Sequence, residues 1–319
     1  MKTLGVGIIG VGVGRGQAMG FLSDPRVGKV VLCDTDEAKL TKAAAELKVA
    51  EMTTDWRSLL GRDDLHVISV AAPDHLHPEM SIASLRAGKH VLCEKPMAPT
   101  LPEAREMLRA VRETGRKLAV NNVLRFYPRF QRVQQLVADG MLGRIYAAEG
   151  DYLHNTLDLI QHGWRGRFRH SVTTGGGVHL VDLLLWLIGD VDEAFGYASR
   201  AVLTAEESRS PECMLAVLRF RNGCVAKTMT NMAVQRPALH NLILYGTQGV
   251  FINARPDGLL YRGHKGEPEL IKDAYGPATT RTGAKGVSID NLLTAIERDE
   301  EPLVNVREGA RAVAVCDAI

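Results

Sequence analysis

The chain has 319 residues, too many for one ordinary hydrophobic core and about right for two domains. Hydrophobic residues make up 45% and charged residues 24%, the ordinary globular range, which excludes a disordered or fibrous chain. The 39 basic and 37 acidic residues leave a formal net charge of +2, without the basic footprint of a nucleic-acid binder, so a small-molecule partner and no nucleic acid are expected.

The opening stretch, MKTLGVGIIGVGVG, places a lysine before an apolar run but lacks a small-residue cleavage site, and it reads as mature sequence. Leu4 to Ile9 is a buried strand in this reading, followed by a glycine cluster and a helix from Gln17 to Leu22. Strands at Val30 to Cys33, Val67 to Ala71, Val91 to Cys93 and Leu118 to Val120 then alternate with helices at Glu37 to Leu47, Glu79 to Ala87 and Pro102 to Glu113. Short apolar runs alternating with amphipathic helices indicate βαβ units and a parallel sheet buried on both faces, the doubly wound Rossmann pattern of an α/β fold.

Beyond residue 122 the texture changes. A helix from Pro128 to Val137 and a strand from Ile145 to Tyr152 precede a basic stretch and an apolar helix from Val178 to Ile188. Strands follow at Met214 to Phe220, Val225 to Thr230 and Leu242 to Tyr245, the first two joined by an Asn222-Gly223 hairpin turn. The expected organisation is a dinucleotide-binding domain over 1–122 and an α+β domain over 123–319, the latter built on a largely antiparallel open sheet. The Val178 to Ile188 helix carries His179 and Asp182 and falls short of the roughly 18 apolar residues that span a bilayer, so no membrane segment is expected. Five cysteines without a C-x-x-C pair read as free thiols in a reducing cytoplasm.

Chemistry concentrates first in the glycine cluster. Gly10 and Gly12 form a G-x-G after the first strand, where backbone N–H groups, Val13 among them, approach a pyrophosphate at a helix N-terminus. The third glycine is irregular: Arg15 stands at its expected position between Gly14 and Gly16, so either the helix starts late or Arg15 projects toward the phosphates. Asp34 ends the second strand, 24 residues after Gly10, where a carboxylate accepts hydrogen bonds from the adenosine ribose and repels the 2'-phosphate of NADP. Its alternative role, capping the next helix, is one that Asp36 can fill. NAD is therefore the expected cofactor, ahead of NADP.

Ligands of a doubly wound sheet bind at the carboxyl ends of its strands. Glu94, Lys95 and Pro96 occupy one such end, and the loop from Ala72 and Pro73 through His77 follows the preceding strand. The run DHLHPEMSIASLRAGKHVLCEKPMA, with its E-K-P, resembles the Gfo/Idh/MocA oxidoreductases, the family of glucose-fructose oxidoreductase and inositol dehydrogenase. The similarity extends through Gly10-x-Gly12, Pro73, His77, Arg125, Pro128, GGGVHLVDLLLWLIGD and the Arg219 to Gly223 turn.

The resemblance implies that Lys95 lies beside the nicotinamide and contacts the substrate hydroxyl, that the Lys95-Pro96 peptide is cis, and that the second domain's open sheet supports a homodimer or homotetramer. A fixed ammonium suits the alkoxide character that develops when a secondary alcohol loses a hydride. Glu94 either orients this loop or contacts the cofactor. His179, Asp182 and Trp186 share a face of the apolar helix, and His179 matches the family's catalytic histidine, a base titrating near neutral pH. Family dehydrogenases usually carry an aspartate four residues before that histidine; here Gly175 stands there, and Asp182 is the alternative partner for the ring.

Arg165, Arg167 and Arg169 in HGWRGRFRH are candidates for holding an anionic group or, equally, a solvated loop, and Arg125 and Tyr152 complete the candidate substrate residues. No H-E-x-x-H or Cys/His pattern is present, so no catalytic metal is expected. The sequence stops inside what reads as a last helix, where family members commonly continue. The leading expectation is an NAD-dependent oxidoreductase acting on a secondary hydroxyl of a sugar, polyol or sugar derivative. A redox-neutral lyase or glycosidase on the same scaffold and a catalytically silent dinucleotide-binding regulator are the alternatives.

Overall fold

The computed structural model describes residues 3–167, 171–200, 202–208, 210–235, 238–254, 257–263, 265–271 and 283–319. Two compact units divide the chain, one of residues 1–123 with 277–310 and the other of 124–276 with 311–319.

The first unit alternates as its apolar runs predict: β1 (Leu4–Ile9), α1 (Gly14–Leu22), β2 (Val27–Cys33), α2 (Glu37–Leu47), β3 (Glu51–Thr53), α3 (Arg57–Leu60), β4 (Val67–Val70), α4 (His77–Arg86), β5 (His90–Cys93), α5 (Leu101–Thr114) and β6 (Leu118–Val120). All strand pairs are parallel, in the order β3-β2-β1-β4-β5-β6, so the connection from β3 to β4 steps back across the sheet. That reversal lies between β1 and β4, which makes their carboxyl ends the ligand crevice of this topology. Val6, Ile8, Leu32, Val67 and Leu92 are buried because helices cover both faces. Asp36 caps α2 by accepting from the Lys39 amide at 3.0 Å, which leaves Asp34 for another task.

The second unit begins with α6 (Pro128–Ala138) and β7 (Ile145–Leu153), followed by the short helices α7 (Leu157–Gln161) and α8 (Trp164–Arg167) and by α9 (Val178–Ile188). Then come β8 (Val191–Ser199), β9 (Cys213–Phe220), β10 (Val225–Asn231), β11 (Leu239–Gly246), β12 (Gly249–Ile252), β13 (Gly258–Arg262) and β14 (Glu269–Ile271). The sheet runs β14-β13-β12-β11-β7-β10-β9-β8, antiparallel except for the parallel pair β7 and β10. One face is covered by α9, whose Leu180 and Leu184 press so close to β7 that a Cβ on Gly150 would meet Leu184 at 2.9 Å. On the other face Phe195, Tyr197, Leu215 and Val217 stand exposed, with Phe195 opposite Val217 and Tyr197 opposite Leu215.

Two helices close the chain, α10 (Gly283–Arg298) and α11 (Val306–Ala318). Sequence reading assigned everything after residue 122 to the second domain; instead α10 packs Ile289, Leu292 and Leu293 into the core of the first unit, beside α1. An amphipathic pattern shows that a helix has a core face without showing which core, and this is the reason for the difference.

Candidate active site

Three glycines shape the turn after β1. Gly10 has φ +90°, and a Cβ there would lie 2.5 Å from the Ala71 carbonyl oxygen, so only glycine lets the loops after β1 and β4 approach. Gly12 faces open space: among the described residues, its own chain neighbours aside, no heavy atom lies within 4 Å of a Cβ placed on it. Gly14 opens α1 with its Cα against Ala71 and Ile8, where a Cβ would come to 3.0 and 3.1 Å. The close-packing role of the third fingerprint glycine therefore falls to Gly14, and the irregular spacing is resolved. Arg15, read as a possible phosphate contact, instead points to α2 and pairs with Glu46 at 2.6 Å. Val13, at the loop tip, is exposed.

Asp34 braces this loop, its carboxylate accepting from the Val11 amide at 2.8 Å and the Asp36 amide at 3.0 Å. Each carboxylate oxygen retains a lone pair after one such bond, so the group can still accept from a ribose hydroxyl.

At the end of β5, Glu94 is nearly buried and accepts from Gln17 Nε2 at 2.8 Å and Asn121 Nδ2 at 2.7 Å. Its other oxygen takes the Lys95 amide at 3.1 Å. Ser69 donates to Gln17, and Ser288 of α10 to Asn121 at 2.9 Å. Of the two roles open to Glu94, orientation is the one its bonds describe: it ties α1, which carries the glycine loop, to the backbone that presents Lys95. The Lys95-Pro96 peptide is cis, and Lys95 itself is partly exposed. Beside this strand end Asn122 is buried with both atoms of its carboxamide unpartnered among the described residues, an unsatisfied donor and acceptor at the carboxyl edge. The open space over Gly12, the available Asp34 oxygens and this amide fit a dinucleotide.

His77 is fully buried, with Nδ1 2.7 Å from the Pro96 carbonyl oxygen and Nε2 2.8 Å from that of Ala72. A ring enclosed in this way does not reach a ligand, which corrects its reading as a direct cofactor contact. Ala72 and Pro73 lead the same loop, with the Ala72 backbone close against Gly10.

In the second unit a π-helical turn, Thr173–Gly177, leads into α9. Its glycines allow close approach: a Cβ on Gly176 would strike the Tyr152 ring at 2.6 Å, and one on Gly177 would strike Thr230 Oγ1 at 2.1 Å. His179 consequently stands over Tyr152, ring centroids 5.8 Å apart. Tyr152 also stacks on His154 at 4.5 Å and meets His240 at 5.4 Å. Burial pushes the Tyr152 hydroxyl's pKa up against the opposing charge of Arg165. His240 lies opposite Tyr152 in the pairing of β11 with β7, and Tyr152 also packs against the buried side chains of Ile160, Val172, Leu203 and Met232.

Arg125 and Asp182, expected among the substrate contacts, are instead each other's partners. Arg125 Nε and Nη2 each reach an Asp182 carboxylate oxygen at 2.8 Å, with the side chains 1% and 0% exposed, and the guanidinium lies 5.5 Å from the Trp186 ring. Both carboxylate oxygens of Asp182 thus hold Arg125. Arg165 lies over its neighbour Trp164 at 4.6 Å; Arg169 and the Arg167 side chain fall outside the described residues. Gln17, Asn121, His154 and His240 were not singled out by the sequence. The signal for Gln17 was a polar residue on the core face of α1, and for His154 its i, i+2 spacing from Tyr152 on one strand face.

Among the described residues no cluster of His, Cys, Asp or Glu side chains is arranged to hold a metal ion, and no helix is long and apolar enough to cross a membrane.

The cradle over Gly10 and Gly12, closed by Asp34 at the end of β2, defines a dinucleotide-binding protein. Comparison with known proteins carries this further: residues 4–122 match the family model described as oxidoreductase family, NAD-binding Rossmann fold, and residues 130–252 match that of the GFO/IDH/MocA C-terminal domain. The chain belongs to the Gfo/Idh/MocA family of NAD-binding oxidoreductases. A levoglucosan dehydrogenase from Pseudarthrobacter phenanthrenivorans is 27% identical over 296 residues, covering 81% of this chain and 76% of the relative. A 1,5-anhydro-D-fructose reductase from Ensifer adhaerens is 29% identical over 302 residues, covering 90% and 86%. A solved levoglucosan dehydrogenase in complex with NADH shares the fold with a TM-score of 0.91 at 22% identity, over 99% of this chain and 96% of that one.

Proposed function

We propose that this protein oxidises a secondary hydroxyl of a sugar, polyol or sugar derivative, using NAD in preference to NADP. The observation that carries the reading is Lys95 at the carboxyl end of β5, its backbone bonded to Glu94 and through Glu94 to Gln17 of the glycine-loop helix. Bound NAD supplies the hydride acceptor. Lys95 stabilises the substrate oxygen as negative charge gathers on it, and His179 takes the proton. Tyr152 and His240 flank His179, His154 stacks on Tyr152, and this ring cluster is offered to a sugar; Arg165 completes the substrate residues. Two relatives named for anhydro sugars support the substrate class.

The test is to incubate the protein with NAD and a panel of sugars, polyols, sugar acids and glycosides and to identify products by mass spectrometry. Loss of two hydrogens from a panel member supports the proposal. A cleaved or dehydrated product with the same oxidation level would replace it with the redox-neutral reading.

NAD preference is assigned to Asp34. Asp34→Ser is expected to weaken NAD binding about 10- to 100-fold, the worth of a charge-assisted hydrogen bond of roughly 1.5–3 kcal/mol, and to weaken NADP binding less. Calorimetry with both dinucleotides checks this, and an unchanged preference would remove Asp34 from the selectivity account.

The exposed row Phe195, Tyr197, Leu215 and Val217 supports self-association through the open sheet as a homodimer or homotetramer, since contiguous apolar surface of this kind marks an interface. Val217→Arg is expected to shift sedimentation to the monomer while NAD binding is retained. All five cysteines are free, which supports a reducing, cytoplasmic setting.

A further inference from the structure

The His77 ring has two nitrogens and, within hydrogen-bond distance, two carbonyl oxygens, those of Pro96 at 2.7 Å and Ala72 at 2.8 Å. A carbonyl oxygen only accepts. A neutral imidazole has one N–H, so in either tautomer one ring nitrogen would turn its lone pair on an oxygen lone pair at less than 3 Å. Only the imidazolium, with two N–H groups, satisfies both contacts, and the ring is sealed from water that could otherwise intervene.

We propose that His77 is held as a buried imidazolium and that it acts as a positioning residue, stapling the loop after β4 to the loop after β5 so that the Lys95 backbone and the Ala72 turn are fixed relative to each other. The protonation state follows from the contacts alone; the importance of fixing Lys95 rests on the function proposed above.

The surroundings accept the charge. Cys93 of β5 and Asp74 of the preceding turn face the ring, and His75 of that turn is itself influenced by Glu103 of α5. Burial opposes the charge, but Cys93, Asp74 and the Pro96 carbonyl outweigh it and the pKa is pushed up to about 10. A folded-state pKa above the unfolded value of roughly 6.5 means that the stabilisation is complete below about pH 6.5 and is lost as pH rises toward about 10.

The decisive measurement uses the parent protein with ¹⁵N-labelled histidine. At about pH 8.5, two units above the usual histidine pKa, one ring should retain protons on both nitrogens, and that signal should vanish in His77→Gln. A His77 ring with a single protonated nitrogen at that pH overturns the proposal. This readout needs neither substrate nor turnover, so it fails independently of the enzymatic reading. The positioning role is read from the rate at which acetic anhydride modifies Lys95, followed by peptide mass spectrometry with exposed Lys42 as the reference. His77→Gln should change that rate at least about threefold while the thermal midpoint loses its decline between about pH 6.5 and 10. An unchanged Lys95 rate overturns the positioning role; His77→Asn, which keeps one amide donor, replaces His77→Gln if the latter does not fold.

Discussion

Replacing Lys95 with alanine is expected to lower turnover about 100- to 1000-fold, the range found when one preorganised donor to a developing oxyanion is removed, and to leave the NAD dissociation constant within about threefold. The expectation of intact binding comes from how the loop is built. Glu94 bonds Gln17, Asn121 and the Lys95 backbone amide, none of which involves the lysine side chain, so the strand end and the glycine-loop helix remain joined when the ammonium is deleted. Lys95→Arg keeps the charge but substitutes a planar fork for a compact ammonium, and should recover only part of the loss. Steady-state rates and calorimetric NAD binding, measured on the same preparations, separate the two effects. A parallel fall in both would make Lys95 a cofactor-binding residue, and unchanged turnover would remove it from the mechanism.

Asp182→Ala is expected to cost the second unit about 3–5 kcal/mol, the usual penalty for leaving one member of a buried ion pair without its partner. Arg125 would keep its charge at 1% exposure after losing two 2.8 Å bonds to the carboxylate, while the Trp186 face and the Asp182 carbonyl are weaker partners for a guanidinium than a carboxylate. The double replacement Arg125→Leu with Asp182→Leu removes both charges and should regain much of that stability, because a well-packed apolar pair often equals a buried salt bridge. Thermal unfolding of the parent, the single variants and the double variant closes the cycle. If Asp182→Ala unfolds like the parent while substrate binding is lost, the pair belongs to the site and not to the core.

The alternation of strands and helices in the first unit was legible because β1, β4, β5 and the second half of β2 are largely buried and read as apolar runs. The strand end at Glu94-Lys95-Pro96 stood out for the same reason: charge interrupts such a run where the sheet stops. Less visible was β8, Val191–Ser199, whose exposed and half-buried residues carry little apolar signal at the edge of the second sheet. Partnerships between distant positions were not legible at all. Arg125 lies 57 residues from Asp182 and Gln17 lies 77 from Glu94, and periodicity assigns a residue to a face without naming what it meets there. His240 entered the ring cluster only through its register opposite Tyr152, which is fixed by the pairing of β11 with β7. Which glycine serves as the third of the fingerprint was not legible, because its spacing assumes where the helix begins, and α1 begins at Gly14, one position before Arg15.

The most direct test of the account is the near-ultraviolet absorbance of NADH when the purified protein is given NAD and the sugar and polyol panel, with Lys95→Ala alongside. NADH is expected to accumulate with at least one panel member in the parent and to be suppressed in the variant. NAD binding at normal affinity with no NADH from any panel member, in parent and variant alike, would contradict it.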